Sequence, residues 1–233
     1  LIPSTTTIFG PSVCNKDGRL CYAKFNALGK AEVWVARNDG TGQQRLTDGT
    51  LSANHPTWSP AGNEIAFDAS DSNLHKQVYV VNVNTKNVRQ MTTGVQNSRV
   101  PTWTADGSEI YFEQSTSFGT KFIAKTRSAT PTFEVVLADD TTSYAEPSLD
   151  PNGFQMVCLR GGSEIVLSDE RGRNAHVVLA DPHLSRPTFS PDGSRLLMQY
   201  NDVGSINVQS YDLTGHNGKD YGKGQQASWG IRH

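Results

Sequence analysis

The sequence predicts an all-β fold, a five-bladed β-propeller in which each blade is a four-stranded antiparallel sheet. The main observation is a short phrase that opens with proline and returns every 40 to 46 residues, at Pro11, Pro56, Pro101, Pro147 and Pro187. A fixed period of this size indicates a repeat architecture. Room for four short strands in each period is typical of a propeller blade.

The phrase itself predicts the hairpin that begins each blade. It joins a short apolar strand to a turn of Pro, Asp and Gly, which supply fixed or positive φ angles. Its copies read PTWSPAG at 56–62, PTWTADG at 101–107, PSLDPNG at 147–153 and PTFSPDG at 187–193, with PSVCNKDG at 11–18 as a looser copy. We expect the tryptophans of this phrase, Trp58 and Trp103, to pack between blades, because Trp buries a large area.

Three further apolar runs follow each phrase and predict the remaining strands. The second strands begin nine residues after the prolines, at Leu20, Ile65, Ile110, Met156 and Leu196. The third runs begin at Val33, Val78, Phe122, Ile165 and Ile206, and fourth runs follow, with a poor copy near Tyr221. Alternating β-branched and aromatic residues are typical of strands. No run has the caps and apolar periodicity of a helix, so we expect nearly none.

We expect residues 1–233 to form one domain. The period divides it into blades at about 11–55, 56–100, 101–146, 147–186 and 187–226. Trp229 belongs to a sixth copy of the first strand that no second strand follows. Open sheet edges are avoided in propellers by closure of the ring. The ends should therefore overlap, either with Trp229 beside blade 1 or with residues 1–2 on blade 5.

Composition limits the classes of partner. The formal net charge of −2 and the absence of a basic run give no basis for nucleic-acid binding. No apolar run approaches transmembrane length, so we expect no membrane insertion. The first residue is Leu, with no signal-like segment ahead of it, which fits a processed mature chain; a trimmed chain would look the same.

The three cysteines leave one alternative open. Cys14 and Cys21 flank the first hairpin turn and could form a disulfide, or could be two small buried side chains. Their diagonal positions on paired strands make the Cα separation long for a bridge. Cys158 occupies the position of Phe67 in its sister blade, so we expect it to be unpaired in the core.

The phrase followed by a strand resembles the repeat of TolB-like propellers, the periplasmic and secreted relatives of WD-type blades. The copy at 187–193 matches best, and the resemblance covers about residues 1–233. It implies a propeller that captures segments of partner proteins at the channel mouth. The namesake of the family has six repeats and a separate N-terminal domain, whereas this chain has five repeats.

The candidate ligand-binding residues are His55, Arg99, Glu146 and Arg186. They stand at or just before the residue that precedes a phrase proline, and the repeat brings them to one mouth of the channel. One hypothesis is a polar seat for a carboxylate, a sugar or a peptide end, with the arginines as fork-shaped donors. The alternative is an internal network of ion pairs and water that plugs the channel.

We predict no resident cofactor and no metal site, since the histidines lack metal-binding spacing. A cation such as calcium could still bind in the channel without a sequence signature. The acidic run at 68–73 lacks the spacing of a calcium loop and is more typical of a solvated turn. No catalytic residue is specified, because Gly-x-Ser-x-Gly and converging carboxylate pairs are both missing.

Three functions follow from these observations. We favour a non-catalytic, extracytoplasmic binding module that recognises a protein segment or a glycan at one loop face. The first alternative is a small multivalent lectin with sites between blades, although loops that differ between blades disfavour it. The second is a polysaccharide lyase or hydrolase that uses the cluster at the mouth.

Overall fold

In the computed structural model, the described residues are 8–14, 16–203 and 205–223, and they form five four-stranded antiparallel sheets without a helix. Blade 1 contains β1 (Ile8–Val13), β2 (Leu20–Phe25), β3 (Ala31–Ala36) and β4 (Gln44–Arg45). Blade 2 contains β5 (Asn54–Trp58), β6 (Glu64–Ser70), β7 (Lys76–Asn82) and β8 (Val88–Gln90). Blade 3 contains β9 (Ser98–Trp103), β10 (Glu109–Ser115), β11 (Lys121–Arg127) and β12 (Glu134–Leu137).

The last two blades repeat this order. Blade 4 contains β13 (Tyr144–Leu149), β14 (Gln155–Arg160), β15 (Glu164–Asp169) and β16 (His176–Ala180). Blade 5 contains β17 (Leu184–Phe189), β18 (Arg195–Asp202), β19 (Ser205–Asp212) and β20 (Lys219–Lys223). Strands within each sheet lie in chain order. The predicted fold class is thereby confirmed, including the weak fourth strand near Tyr221.

Each innermost strand carries a bulge at its proline. The prolines lie inside these strands rather than at their starts, and the pairing register with the second strand shifts there in every blade. The residue before the proline has a left-handed φ between 47° and 60° in Gly10, His55, Val100, Glu146 and Arg186. A bulge redirects a side chain and tolerates a proline that cannot donate to the ladder. The repeat therefore fixes these five residues in equivalent backbone conformations.

The apolar core lies between neighbouring blades. Trp103 is 7% exposed, packs in one cluster with Val80 of blade 2 and Phe112 of blade 3, and donates its Nε1 hydrogen to the Thr57 carbonyl of blade 2 at 3.3 Å. Trp58 packs equivalently between blades 1 and 2. Both tryptophans take the predicted position between blades.

The possible bridge between Cys14 and Cys21 is not formed. All three cysteines are buried free thiols. Cys14 pairs its backbone with Arg19, so it lies diagonal to Cys21, which faces Ser12. Cys158 is unpaired in the core, as predicted. The two hypotheses for ring closure concern Trp229 and residues 1–2, which lie outside the described residues. Within the described part of the chain, no helix is long and apolar enough to cross a membrane.

Candidate functional site

The five innermost strands enclose a central channel with a cavity at each end. A cavity of about 600 Å³ lies among the turns that follow these strands, and one of about 190 Å³ lies where the strands enter. We call the second cavity the narrow mouth. Both cavities touch a ring of five hydroxyls, one from each blade: Ser12, Thr57, Thr102, Ser148 and Thr188. The hydroxyl residue after every phrase proline is the sequence signal for this ring, and the predicted site did not include it.

Three of the four predicted site residues line the narrow mouth. His55, Glu146 and Arg186 occupy the left-handed positions of their blades and face this cavity. Arg99 does not line it, and Val100 takes the equivalent place. The bulge explains the difference, because it turns the residue that directly precedes the proline toward the channel axis. The residue two positions before the proline, here Arg99, does not face the axis.

His55 is held by a buried carboxylate of its own blade. Its Nδ1 lies 2.6 Å from Oδ1 of Asp68, whose side chain is fully buried, while the His55 side chain is 19% exposed. A carboxylate only accepts hydrogen bonds, so the proton of this contact sits on Nδ1. Asp68 therefore fixes both the tautomer and the orientation of the ring.

The same carboxylates also connect successive blades. Asp68 Oδ1 accepts the backbone N–H of Val100 in blade 3 at 3.2 Å. Glu113 occupies the position of Asp68 in blade 3 and accepts the N–H of Glu146 in blade 4 at 3.2 Å. Each contact binds the N–H of a left-handed residue. The carboxylates thus stabilise the bulge of the next blade.

Blade 4 makes this connection with a different residue. Its position equivalent to Asp68 and Glu113 is Leu159, which has no acceptor. Glu146 supplies the carboxylate instead, and its Oε2 accepts the N–H of Arg186 at 2.7 Å. The charge of Glu146 is therefore engaged in the scaffold at the mouth.

The prediction of a solvated turn is wrong for Asp68. The acidic run at 68–73 suggested a solvated turn, but Asp68 lies in the buried part of β6. Only the later part of the run forms the turn, where Asp71 Oδ1 accepts the N–H groups of Asn73 and His75 at 2.9 Å each. The alignment of Asp68 with Glu113 in the repeat was the signal that identifies its role.

The comparison with family models assigns this architecture. A model described as the TolB beta propeller domain matches residues 1–232. The chain belongs to the TolB beta-propeller family. An uncharacterized protein of Agrobacterium fabrum is 31% identical over 58 residues, which are 25% of this chain and 20% of that protein.

Solved structures share the fold of this TolB propeller at low identity. TolB from Acinetobacter baumannii is 17% identical with a TM-score of 0.79, over 98% of this chain and 58% of that one. A TolB candidate from Agrobacterium tumefaciens is 15% identical with a TM-score of 0.82, over 97% and 86% of the two chains. An oligogalacturonate lyase in complex with manganese is 11% identical with a TM-score of 0.67, over 94% and 72%. The chain thus spans less than two thirds of the Acinetobacter protein.

Arg186 is a charged group of the mouth whose side chain has no partner in the part of the chain that the structure describes. Its guanidinium makes no hydrogen bond or ion pair with any described residue, whereas its backbone N–H is bound by Glu146. A guanidinium offers paired donors that match a carboxylate. Arg99, away from the cavity, has a buried Nε without a partner in the described part of the chain. The described residues contain no group of three or more His, Cys, Asp or Glu placed to hold a metal ion.

Proposed function

We propose that this TolB propeller is a non-catalytic, secreted or periplasmic binding module that captures a protein segment through a carboxylate at the narrow mouth. One observation carries the proposal: Arg186 lines the cavity, and its guanidinium has no partner among the described residues. The cavity of about 190 Å³ has room for a carboxylate and a short length of chain, and it favours these over an extended glycan. The resemblance to TolB-like propellers implies the same mode of capture.

The rigid scaffold supports this function. The five left-handed residues are fixed by bulges, and the carboxylates of Asp68, Glu113 and Glu146 bind backbone N–H groups beside them. Binding residues held by a rigid frame lose little conformational entropy when a ligand arrives. The backbone of Arg186 is therefore held in place by the Glu146 carboxylate, and the hydroxyl ring below it offers hydrogen bonds to an entering chain.

The test is a peptide array with free and amidated carboxyl termini, probed with the labelled propeller beside a glycan array. We expect binding to peptides that carry a free carboxylate and a loss of at least tenfold in Arg186→Ala, since hydrogen bonds to charged groups contribute about 1.5 to 3 kcal/mol. Arg99→Ala is the matched control and should bind like the parent. Binding that survives Arg186→Ala would contradict the proposal, and binding to glycans alone would favour the lectin.

A lyase or hydrolase is the second candidate, favoured by the pair of His55 and Asp68. A histidine oriented by a buried carboxylate is an arrangement used in general base catalysis. The fold similarity to an oligogalacturonate lyase suggests oligogalacturonate as the substrate to test. Unsaturated product that forms with the parent and not with His55→Gln would support this candidate.

A further inference from the structure

A separate cavity lies on the outer part of blade 3, away from the channel. It has a volume of about 510 Å³ and lies between the turn that joins β10 to β11 and the residues that follow β12. Phe118, Phe122 and Val135 supply its apolar lining, and Asp139 and Asp140 lie at its acidic side. We call this cavity the blade 3 cleft.

The apolar wall of the cleft is both exposed and fixed. Phe118 is 95% exposed at the tip of the turn, and Val135 is 48% exposed. The turn is closed by hydrogen bonds between Thr116 and Thr120, one from backbone N–H to carbonyl and one between hydroxyls, at 2.7 Å each. Phe122 stands edge-on to Phe133 with ring centroids 6.4 Å apart. Single exposed apolar residues are common, but several around one cavity mark an interaction site.

Two sister blades show why the cleft is open at Phe122. The equivalent residue in blade 2 is Gln77, which is fully buried and donates its amide to the carbonyls of Gly94 at 3.0 Å and Gln96 at 3.1 Å. These bonds hold the loop after β8 against the blade. In blade 1 the equivalent Glu32 is buried and accepts hydrogen bonds from Asn26 and Trp34. Phe122 cannot form such hydrogen bonds. The loop after β12 is therefore not held against blade 3 in this way, and the cleft lies open.

The charge of the cleft is negative. Lys121 also lines it, but its Nζ is paired with Glu113 Oε1 at 3.0 Å. Asp139 Oδ1 accepts two hydrogen bonds from Thr141, and these, with a smaller contribution from the charge of Arg160, lower the pKa of Asp139, so it is ionised at neutral pH. Asp140 is exposed and has no partner among the described residues. An occupant with a cation beside its apolar group therefore complements the cleft.

We propose that the blade 3 cleft binds a segment of a partner protein in which an aromatic or large aliphatic side chain is followed by arginine or lysine. The apolar side chain packs between Phe118, Phe122 and Val135, and the cation meets Asp139 and Asp140. The two cavities share no lining residue, so the cleft is a second site beside the narrow mouth.

The test is a titration of the 15N-labelled propeller with acetyl-Gly-Phe-Arg-Gly-amide, followed by NMR. We expect chemical-shift changes in the amides of residues 116–121 and 138–140. Phe118→Ser should weaken binding about tenfold, because aromatic contacts dominate small interfaces. Asp139→Asn with Asp140→Asn should weaken it about threefold to tenfold at low salt and less at high salt. Leu74→Ser is the control, since Leu74 is 82% exposed at the corresponding turn of blade 2.

Two results would overturn the proposal. If acetyl-Gly-Phe-Glu-Gly-amide bound as tightly as the arginine peptide, the two aspartates would not favour a cation beside the aromatic residue. A loss of binding in Leu74→Ser equal to that in Phe118→Ser would show that any exposed apolar turn suffices. Because the amidated probe has no terminal carboxylate, its binding does not depend on Arg186. The amides whose chemical shifts change therefore show at which of the two sites a peptide binds. A negative result for the proposed function at the narrow mouth is thus distinguishable from a negative result for the cleft.

Discussion

The buried carboxylate of Asp68 offers the sharpest test of how the mouth is built. Its Oδ1 accepts hydrogen bonds from His55 at 2.6 Å and from the Val100 backbone at 3.2 Å, and the side chain is fully buried. Asp68→Ala removes both bonds and leaves the N–H of Val100 without an acceptor. We expect the free energy of unfolding to fall, because a buried donor that loses its partner keeps its full desolvation cost.

The magnitude follows from two opposing contributions. Hydrogen bonds to a charged group contribute about 1.5 to 3 kcal/mol each, so the two bonds together contribute about 3 to 6 kcal/mol. The substitution also removes the cost of burying a carboxylate whose Oδ2 has no partner in the described residues. We therefore expect a net loss of about 3 kcal/mol, which in a domain of this size lowers Tm by about 6 to 12 °C.

Urea denaturation at neutral pH, followed by circular dichroism, measures this loss. Asp140→Ala is the matched control, because Asp140 is an exposed aspartate and such changes stay within about 0.5 kcal/mol. Asp68→Asn keeps one acceptor, so its free energy of unfolding should lie between those of the parent and Asp68→Ala. A loss below about 1 kcal/mol in Asp68→Ala, or one equal to that of Asp140→Ala, would refute the view that this carboxylate connects two blades.

Three further predictions test the core, the thiols and the turns. Trp103→Ala should lower the free energy of unfolding by about 3 to 5 kcal/mol, as measured in urea, because it opens a cavity between blades; a loss near 1 kcal/mol would contradict this packing. Labelling under denaturing, non-reducing conditions should count three free thiols, and a count of one would show that Cys14 and Cys21 form a disulfide. The thiol of Cys158 should react slowly in the native chain, since burial raises its pKa to about 12. Hydrogen bonds from Ser190 and Ser194 lower the pKa of Asp192 from 3.8 to about 2, so its stabilising contribution is complete above pH 3.8 and is lost as the pH falls toward 2. Asp192→Asn should flatten this part of a plot of Tm against pH, and parallel plots would show that the turn contributes nothing.

The repeat phrase made the fold predictable because several local signals agree in it. Turn residues with special φ angles, period-two strands and a large aromatic residue recur in register, so an error in one copy is corrected by the others. Trp58 and Trp103 occupy the positions between blades that this agreement implies. The two hypotheses for closure of the ring concern the ends of the sequence, where the copies are weakest, and the sequence did not decide between them.

The site was predicted less well at Arg99, which the prediction took from one position further back than the residues that directly precede the prolines. A shift of one residue along a strand exchanges the two faces of the sheet. Arg99 and Val100 show the consequence, since Val100 faces the channel and Arg99 does not. A left-handed φ of 51° at a β-branched valine is a conformation that local preference would not suggest. Only the repeat, which has Gly10 at the same place, pointed to it.

Departures from the repeat separate residues of the scaffold from residues that are free to bind. Where Asp68 and Glu113 hold the next blade, Leu159 cannot, and Glu146 takes over that bond. A substitution of Glu146 would therefore disturb the scaffold and any ligand together, and its effect on binding alone would identify nothing. The Arg186 guanidinium has no such role among the described residues, so a loss of binding in Arg186→Ala with unchanged stability points to direct contact with a ligand.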